Sequence, residues 1–194
     1  MQHQPGYAAR SRLSDEDLYA YYPETLSKIP SSGNRSMSET TNLDAFDIKI
    51  LSELQKDATR SISEIGAAVN LSQNACWRRI RRLEEEKYIT GRVALVDEDK
   101  VGLGVTVFAS VKVAEHSEEY LAKFAQVVSL IPEVVEFYRL SGETDYLIKV
   151  LVSSIADYDR VYRKLIRTVR ISDVSSSFAM EKLKHTTAVP VRFA

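Results

Sequence analysis

Between Ser61 and Leu83 the chain carries two stretches of helical periodicity separated by only three residues, Asn70, Leu71 and Ser72. So short a connection obliges the two helices to meet at a sharp angle and to bury their apolar stripes together, which is the plan of a helix-turn-helix. The first helix has its start written into it. Ser61 and Glu64 form a Ser-x-x-Glu capping box, in which each side chain satisfies an orphan backbone N–H, and Ile65 and Val69 supply the buried side. Asn70 is of the non-glycine type that best tolerates a left-handed backbone, Leu71 can plug the corner, and Ser72 is a strong cap for the next helix. Upstream, Leu43, Phe46, Ile50 and Leu54, with Leu51 beside them, predict one apolar face on a preceding helix.

The helix after the turn lies in "SQNACWRRIRRLEEE", residues 72–86. Cys76, Ile80 and Leu83 fall on an inward stripe, whereas Asn74, Trp77, Arg78 and Arg81 share the outward one. The candidate DNA contacts are Ser72, Gln73, Asn74, Trp77, Arg78, Arg79, Arg81 and Arg82. Arginine can hold guanine O6 and N7 in two parallel bonds, Asn and Gln can do the same to adenine N6 and N7, and other arginines neutralise phosphates. By this reading Arg78 and Arg81 face bases, while Arg79 and Arg82 act on the backbone. The competing reading is a solvated face laced with the i, i+4 pairs Arg81–Glu85 and Arg82–Glu86. The capped helix and turn in front favour nucleic acid, and Glu84, Glu85 and Glu86 lie at the end of the helix away from the expected base contacts.

Composition narrows the field. With 194 residues, 44% hydrophobic and 27% charged, the chain suits two modest cores, and its formal net charge is −1. Residues 43–99 hold nine Lys or Arg against eleven Asp or Glu, a net of −2, so the positive field is confined to the reading surface and affinity should need two copies. The single cysteine, Cys76, excludes an internal disulfide; beside arginines it could sense redox state, but its inward position favours a packing role. No apolar run approaches a membrane span and no secretory h-region opens the chain, which points to the cytoplasm. His3, His116 and His185 are scattered without metal spacing, and no metal, catalytic residue or cofactor is nominated.

Residues 1–42 read as a poorly ordered extension, with Met37 as an alternative start and a short helix over "SDEDLYAYY" capped by Ser14. Residues 43–99 form the DNA-binding domain, with a strand expected over 92–96 and Arg92 near phosphate. Residues 100–104, with Gly102 and Gly104, are the hinge, and 105–194 make a second domain. There Val105, Val107, Ala109, Val111 and Val113 alternate as a strand, and Leu121, Phe124, Val128 and Ile131 repeat as a helix that Pro132 ends. "VVEFYRL" and "YLIKVLV" are strands joined by a "SGETD" turn, Ile155, Tyr158, Tyr162, Leu165 and Val169 mark a second helix, and Val174, Phe178 and Met180 a last strand. The order βαββαβ is the ferredoxin-like arrangement, an α+β fold with helices on one face of the sheet. Phe108, Val135, Phe137, Leu147 and Leu151 would make the other face apolar enough to pack against a second copy.

In the turn, Gly142 permits close backbone approach, Asp145 can pair with an α-ammonium, and free N–H groups can hold an α-carboxylate. An ordinary hairpin turn is the alternative, Gly142 supplying the bend and Asp145 bonding its own backbone.

Four stretches, "LDAFDIKILSELQKDATRS", "LSQNACWRRIRRLEEEKYITG", "LSGETDYLIKV" and "SSSFAMEKLKHTTAVPV", make residues 43–191 resemble a member of the leucine-responsive regulator and AsnC family. The resemblance implies an N-terminal winged-type helix-turn-helix, a C-terminal amino-acid-sensing domain, and homodimers that associate into tetramers or octamers on palindromic promoter DNA. It implies no enzyme and no cofactor, with a small amino acid as effector bound between subunits. The family's effector loop reads Gly-Asp-x-Asp; here it reads Gly142, Glu143, Thr144, Asp145, so Glu143 departs by one methylene. The serines at 175–177 lie near this kind of site, and Asn70 replaces a common glycine. The rivals to a regulator are a stand-alone amino-acid sensor and a ferredoxin-like enzyme, neither of which would use the outward arginines.

Overall fold

The computed structural model describes residues 42–168 and 170–191, which form two compact units. The extension, with the helix expected behind Ser14, and Val169 lie outside the described residues. Among the described residues no helix is long and apolar enough to cross a membrane.

The first unit holds three helices, α1 (Ala45–Lys56), α2 (Ile62–Ala68) and α3 (Gln73–Glu85). Each begins on a side-chain cap. Asp44 caps α1 and shares a reciprocal box with Asp47, Ser61 and Glu64 make the box on α2, and the Ser72 hydroxyl accepts from Ala75 N–H at the start of α3. The corner between α2 and α3 closes on Asn70, whose φ is +59°, with Leu71 N–H donating to the Gly66 carbonyl at 2.8 Å. This double-bonded helix end satisfies carbonyls that would otherwise be orphaned. The approach is tight enough to demand glycine at 66, since a Cβ there would sit 2.9 Å from the Leu71 carbonyl oxygen. Ile50, Leu51, Ile65, Val69, Cys76, Ile80 and Leu83 form the core.

The tail after the last strand belongs with this helical unit. The Gln55 side-chain amide bonds both the N–H and the carbonyl of Val189, and Val191 packs against the helical core. Residues 92–96 form no strand: no described segment pairs with them, and Val93, Leu95 and Val96 are exposed. The chain then turns back on itself, Leu103 N–H donating to the Glu98 carbonyl at 2.8 Å while Gly102 takes a φ of +79° that favours glycine.

The second unit is the expected βαββαβ: β1 (Val105–Val113), α4 (Glu118–Ser129), β2 (Val134–Arg139), β3 (Tyr146–Val152), α5 (Ile155–Thr168) and β4 (Ile171–Phe178). The sheet order is β2-β3-β1-β4, with β3 antiparallel to both β1 and β2. Val107, Ala109, Val111 and Val113 meet Ile148, Val150 and Val152 on the covered face, where Phe124, Val128, Tyr158, Val161 and Leu165 of the helices close over them. Three placements differ from the sequence expectation. Phe137 points into this core, edge-on to Phe124 with ring centroids 5.7 Å apart, because a bulge between Val134 and Glu136 shifts the alternation of β2 and turns Val135 outward. Ile155 is exposed, since Ser154 caps α5 from just before it and the buried stripe starts at Tyr158. β4 ends before Met180, which is exposed. The open face keeps Phe108, Val135, Tyr138, Leu147 and Leu151, with Lys149 and Glu136 paired at 2.7 Å among them.

Several carboxylates of the helical unit sit below their ordinary range. Burial pushes Asp44 up, but the Asp47 N–H and Arg79 together outweigh it; Lys56 and Arg60 lower Glu53, the Thr59 hydroxyl and N–H lower Asp57, and the Ser61 hydroxyl and N–H lower Glu64. A carboxylate depressed on folding contributes stability that is complete above its unfolded value and is lost as pH falls through the folded one. The midpoint of thermal loss of helical circular dichroism is therefore expected to fall as pH drops below about 4; a midpoint that rises there would contradict this assignment.

Candidate nucleic-acid interface and effector loop

The second helix of the helix-turn-helix, α3, is fixed from beneath by charge. Asp47 on α1 is fully buried, the only charged side chain among the described residues that is. Its Oδ1 accepts from Arg79 Nη1 at 2.8 Å, and its Oδ2 accepts from Arg82 Nη2 and from Asp44 N–H. Arg79 also reaches Asp44 Oδ2 at 2.6 Å and lies over the Phe46 ring, 5.3 Å from its centroid. These contacts bear on two expectations. Arg79 and Arg82, expected on phosphates, reach Asp47 and hold α3 to α1. Phe46, expected in the core, is partly exposed as the platform under Arg79, and Asp47 takes the inward position beside Ile50 and Leu51.

With those two arginines engaged, the outer stripe is simple. Ser72, Gln73, Asn74, Trp77, Arg78 and Arg81 are exposed, while Cys76, Ile80 and Leu83 are buried. Arg81 is steadied by Glu85 at 3.1 Å and by the Trp77 ring, 5.4 Å from its centroid, as in the solvated-face reading; the Arg82–Glu86 pair of that reading does not form. Arg78 has no partner among the described residues. Arg92 bonds Glu84 at 2.7 Å and, with Trp77, Arg81, Ile62 and Ile80, borders an open cleft of about 460 Å³. Burial pushes the Cys76 thiol up, which suits packing and opposes a reactive thiolate.

The candidate effector loop, residues 142–145, is tied at one end. Asp145 Oδ2 accepts from Val113 N–H at 2.9 Å, Oδ1 meets His116 Nε2 at 3.1 Å, and Asp145 N–H donates to the Val111 carbonyl. The Val113 bond, then His116, holds this carboxyl below its ordinary range. Asp145 thus anchors the loop to the end of β1, and a carboxylate with about four acceptor positions retains room for a ligand's ammonium. Gly142 has a φ of +139°, which favours glycine, and is exposed with Glu143; Thr144 is half-buried. Lys112 pairs with Glu143 at 3.1 Å. No backbone hydrogen bond forms from the N–H groups of Gly142, Glu143 or Thr144 to described residues. Tyr158 and Ser176, in contact at 2.5 Å, were not singled out as a pair by sequence; only the adjacent serines hinted at it.

A helix-turn-helix with an exposed outer stripe, in one chain with a ferredoxin-like domain carrying an open polar loop, defines a DNA-binding regulator with its own ligand-binding domain. Residues 43–84 match the AsnC-type helix-turn-helix domain and residues 106–189 the Lrp/AsnC ligand binding domain. The chain is 54% identical over 149 residues to the glutamate uptake regulatory protein of Zymomonas mobilis, covering 77% of this chain and 91% of the relative. It is 45% identical over 150 residues to the DNA-binding transcriptional activator DecR of Escherichia coli, covering 77% and 99%. Among solved structures, an AsnC family transcriptional regulator from Agrobacterium tumefaciens superposes with a TM-score of 0.75 at 51% identity, covering 76% of this chain and 97% of that one. A transcriptional regulator of Neisseria meningitidis in complex with L-Met gives 0.73 at 33%, covering 76% and 96%. The chain belongs to the Lrp/AsnC family of DNA-binding transcriptional regulators.

Two substitutions separate holding from reading. Asp47→Asn keeps the shape but removes the charge that Arg79 and Arg82 satisfy, and should cost about 1–3 kcal/mol in urea denaturation, whereas Arg78→Ala should stay within about 0.5 kcal/mol of the native protein. Asp145→Ala strips the acceptor from Val113 N–H, so that amide should exchange faster with deuterium; unchanged protection would show that the loop is anchored by other contacts.

Proposed function

We propose that this regulator binds a two-fold operator as a homodimer, with Gln73, Asn74, Trp77, Arg78 and Arg81 of each α3 directed at the major groove. The observation that carries the reading is the division of the arginines on one helix. Arg79 and Arg82 are engaged with Asp47, and Arg78, with Trp77-supported Arg81, is left on the exposed side. The low charge of the reading unit supports a dimer, because two copies double the phosphate contacts and the half-sites then follow the protein's symmetry. The apolar open face of the sheet supports pairing of two sensing domains there, with tetramers to octamers built from such dimers.

The same reading places a small amino acid at Gly142, Glu143, Thr144 and Asp145, with loop N–H groups on its carboxylate and Asp145 near its ammonium. Such a ligand acts only if it favours one arrangement of subunits over another. The L-Met held by the Neisseria regulator and the glutamate uptake named for the Zymomonas relative make methionine and glutamate the first effectors to test. The protein would work in the cytoplasm, without a cofactor or a catalytic step.

The test is binding of the full chain to promoter DNA of its own and adjacent genes, with and without each of the twenty amino acids. Arg78→Ala should weaken specific binding by roughly 1–3 kcal/mol and relax base preference at one position per half-site, leaving amino-acid binding intact. Unaltered DNA specificity in Arg78→Ala, or an amino-acid panel without effect on affinity or assembly, would refute the corresponding half of the reading.

A further inference from the structure

The outer face of α5 carries Arg160, Arg163, Lys164 and Arg167, spaced i, i+3, i+4 and i+7, and these four side chains alone border a shallow cleft of about 350 Å³. The opposite face, with Tyr158, Val161 and Leu165, packs on the sheet, so folding leaves the cations outward. Arg160 pairs with Asp157, and Arg163 with Asp159 at 2.8 Å, both within the helix. The Arg163–Asp159 pair is exposed on both sides, and a pair of that kind contributes little. Counting both acids, α5 carries a net charge of +2, whereas residues 43–99 carry −2 and turn two of their arginines toward Asp47.

We propose that α5 is a second DNA-contacting surface, which lies along the phosphate backbone of DNA flanking the operator. At about 1.5 Å per residue, Arg160 to Arg167 span roughly 10 Å, about the axial rise of three nucleotides of one strand. Three of the four cations are arginine, whose planar fork suits phosphate oxygens. The cleft is bordered by no aromatic or aliphatic anchor of the kind that centres a protein interface, which favours a phosphate backbone over an acidic protein segment. The contact carries no base readout; it adds the electrostatic affinity that the near-neutral reading unit lacks. The inference rests on operator binding by α3, and the test separates the two.

The experiment compares the full-length protein with the triple variant Arg163→Gln, Lys164→Gln, Arg167→Gln on two duplexes over a range of salt. One duplex holds two half-sites only, about 20 base pairs, and the other adds about two helical turns on each side. Binding of the native protein to the short duplex tests the operator reading by itself. On the long duplex the triple variant should lose about tenfold or more in affinity at low salt, and its log–log salt slope should be shallower by roughly 2 to 3. On the short duplex it should match the native protein, and Arg163→Lys with Arg167→Lys should retain the native slope on both. Circular dichroism and sedimentation confirm that fold and assembly are kept. An unchanged slope on long DNA overturns the proposal, as does an equal loss on both duplexes. So does binding of an acidic peptide of residues 14–24 to the native protein but not to the variant while the long-DNA slope stays the same, which would assign the face to a protein segment.

Discussion

The carboxylate of Asp47 is the point on which the DNA-reading unit depends. Its burial without a partner would be costly, and it is tolerated because Arg79, Arg82 and the Asp44 N–H converge on its two oxygens. The arrangement fixes more than one contact. It joins the N-terminal cap of α1 to the middle of α3, so the position and rotation of the reading helix are set by directional bonds in addition to the apolar core of Ile50, Ile65, Ile80 and Leu83. Rotation about a helix axis is what decides which arginines meet DNA. A helix held by greasy contacts alone could roll; one with two guanidinium groups locked beneath it presents Arg78 and Arg81 in a defined direction.

A similar economy of anchoring appears in the ligand-binding domain. Asp145 bonds Val113 N–H and His116, so the loop that would receive an amino acid is secured at its C-terminal end while Gly142 and Glu143 remain exposed. A loop pinned on one side and open on the other can pre-organise N–H groups for a carboxylate without closing over an empty site. The tail adds a covalent connection of interest. After β4 the chain joins the helical unit, where Gln55 grips Val189 and Val191 enters the core, so the segment that leaves the sensing sheet ends on α1, the helix that carries Asp47.

How much of this was legible in the residues depends on what kind of signal each feature leaves. The helix-turn-helix was fully legible, because the Ser61–Glu64 box, Asn70 at φ +59° and the Ser72 cap are local rules that need no tertiary knowledge. The βαββαβ order was legible for the same reason, from a change of hydrophobic period. Asp47 was not, although its position three residues before Ile50 and four before Leu51 puts it on the inward face. Its acceptance there depends on arginines more than thirty residues away, flanking the Cys76–Ile80–Leu83 stripe. A wheel shows which face a charge borders and not which partner it finds. Phe137 was misplaced by a bulge, a single extra residue that inverts alternation and has no strong sequence mark. Residues 92–96 have the composition of a strand, but a strand exists only with a neighbour to bond, and no described segment supplies one. At the candidate effector loop the glycine turn at Gly142 and the charge of Asp145 were legible, but not the Val113 and His116 contacts that position that carboxylate.

The central claim, that Asp47 aims α3 so that Arg78 reads a base while Arg79 holds the helix, is tested most directly on modified DNA. Each guanine of an operator half-site is replaced in turn by 7-deazaguanine, which lacks the N7 acceptor that a bidentate arginine needs, and the binding penalty is measured for the native protein, Arg78→Ala and Arg79→Ala. The account predicts one position at which the penalty disappears in Arg78→Ala but persists in Arg79→Ala. A penalty that disappears in Arg79→Ala and persists in Arg78→Ala would contradict it, and would mean that the buried carboxylate releases Arg79 to the groove when DNA binds.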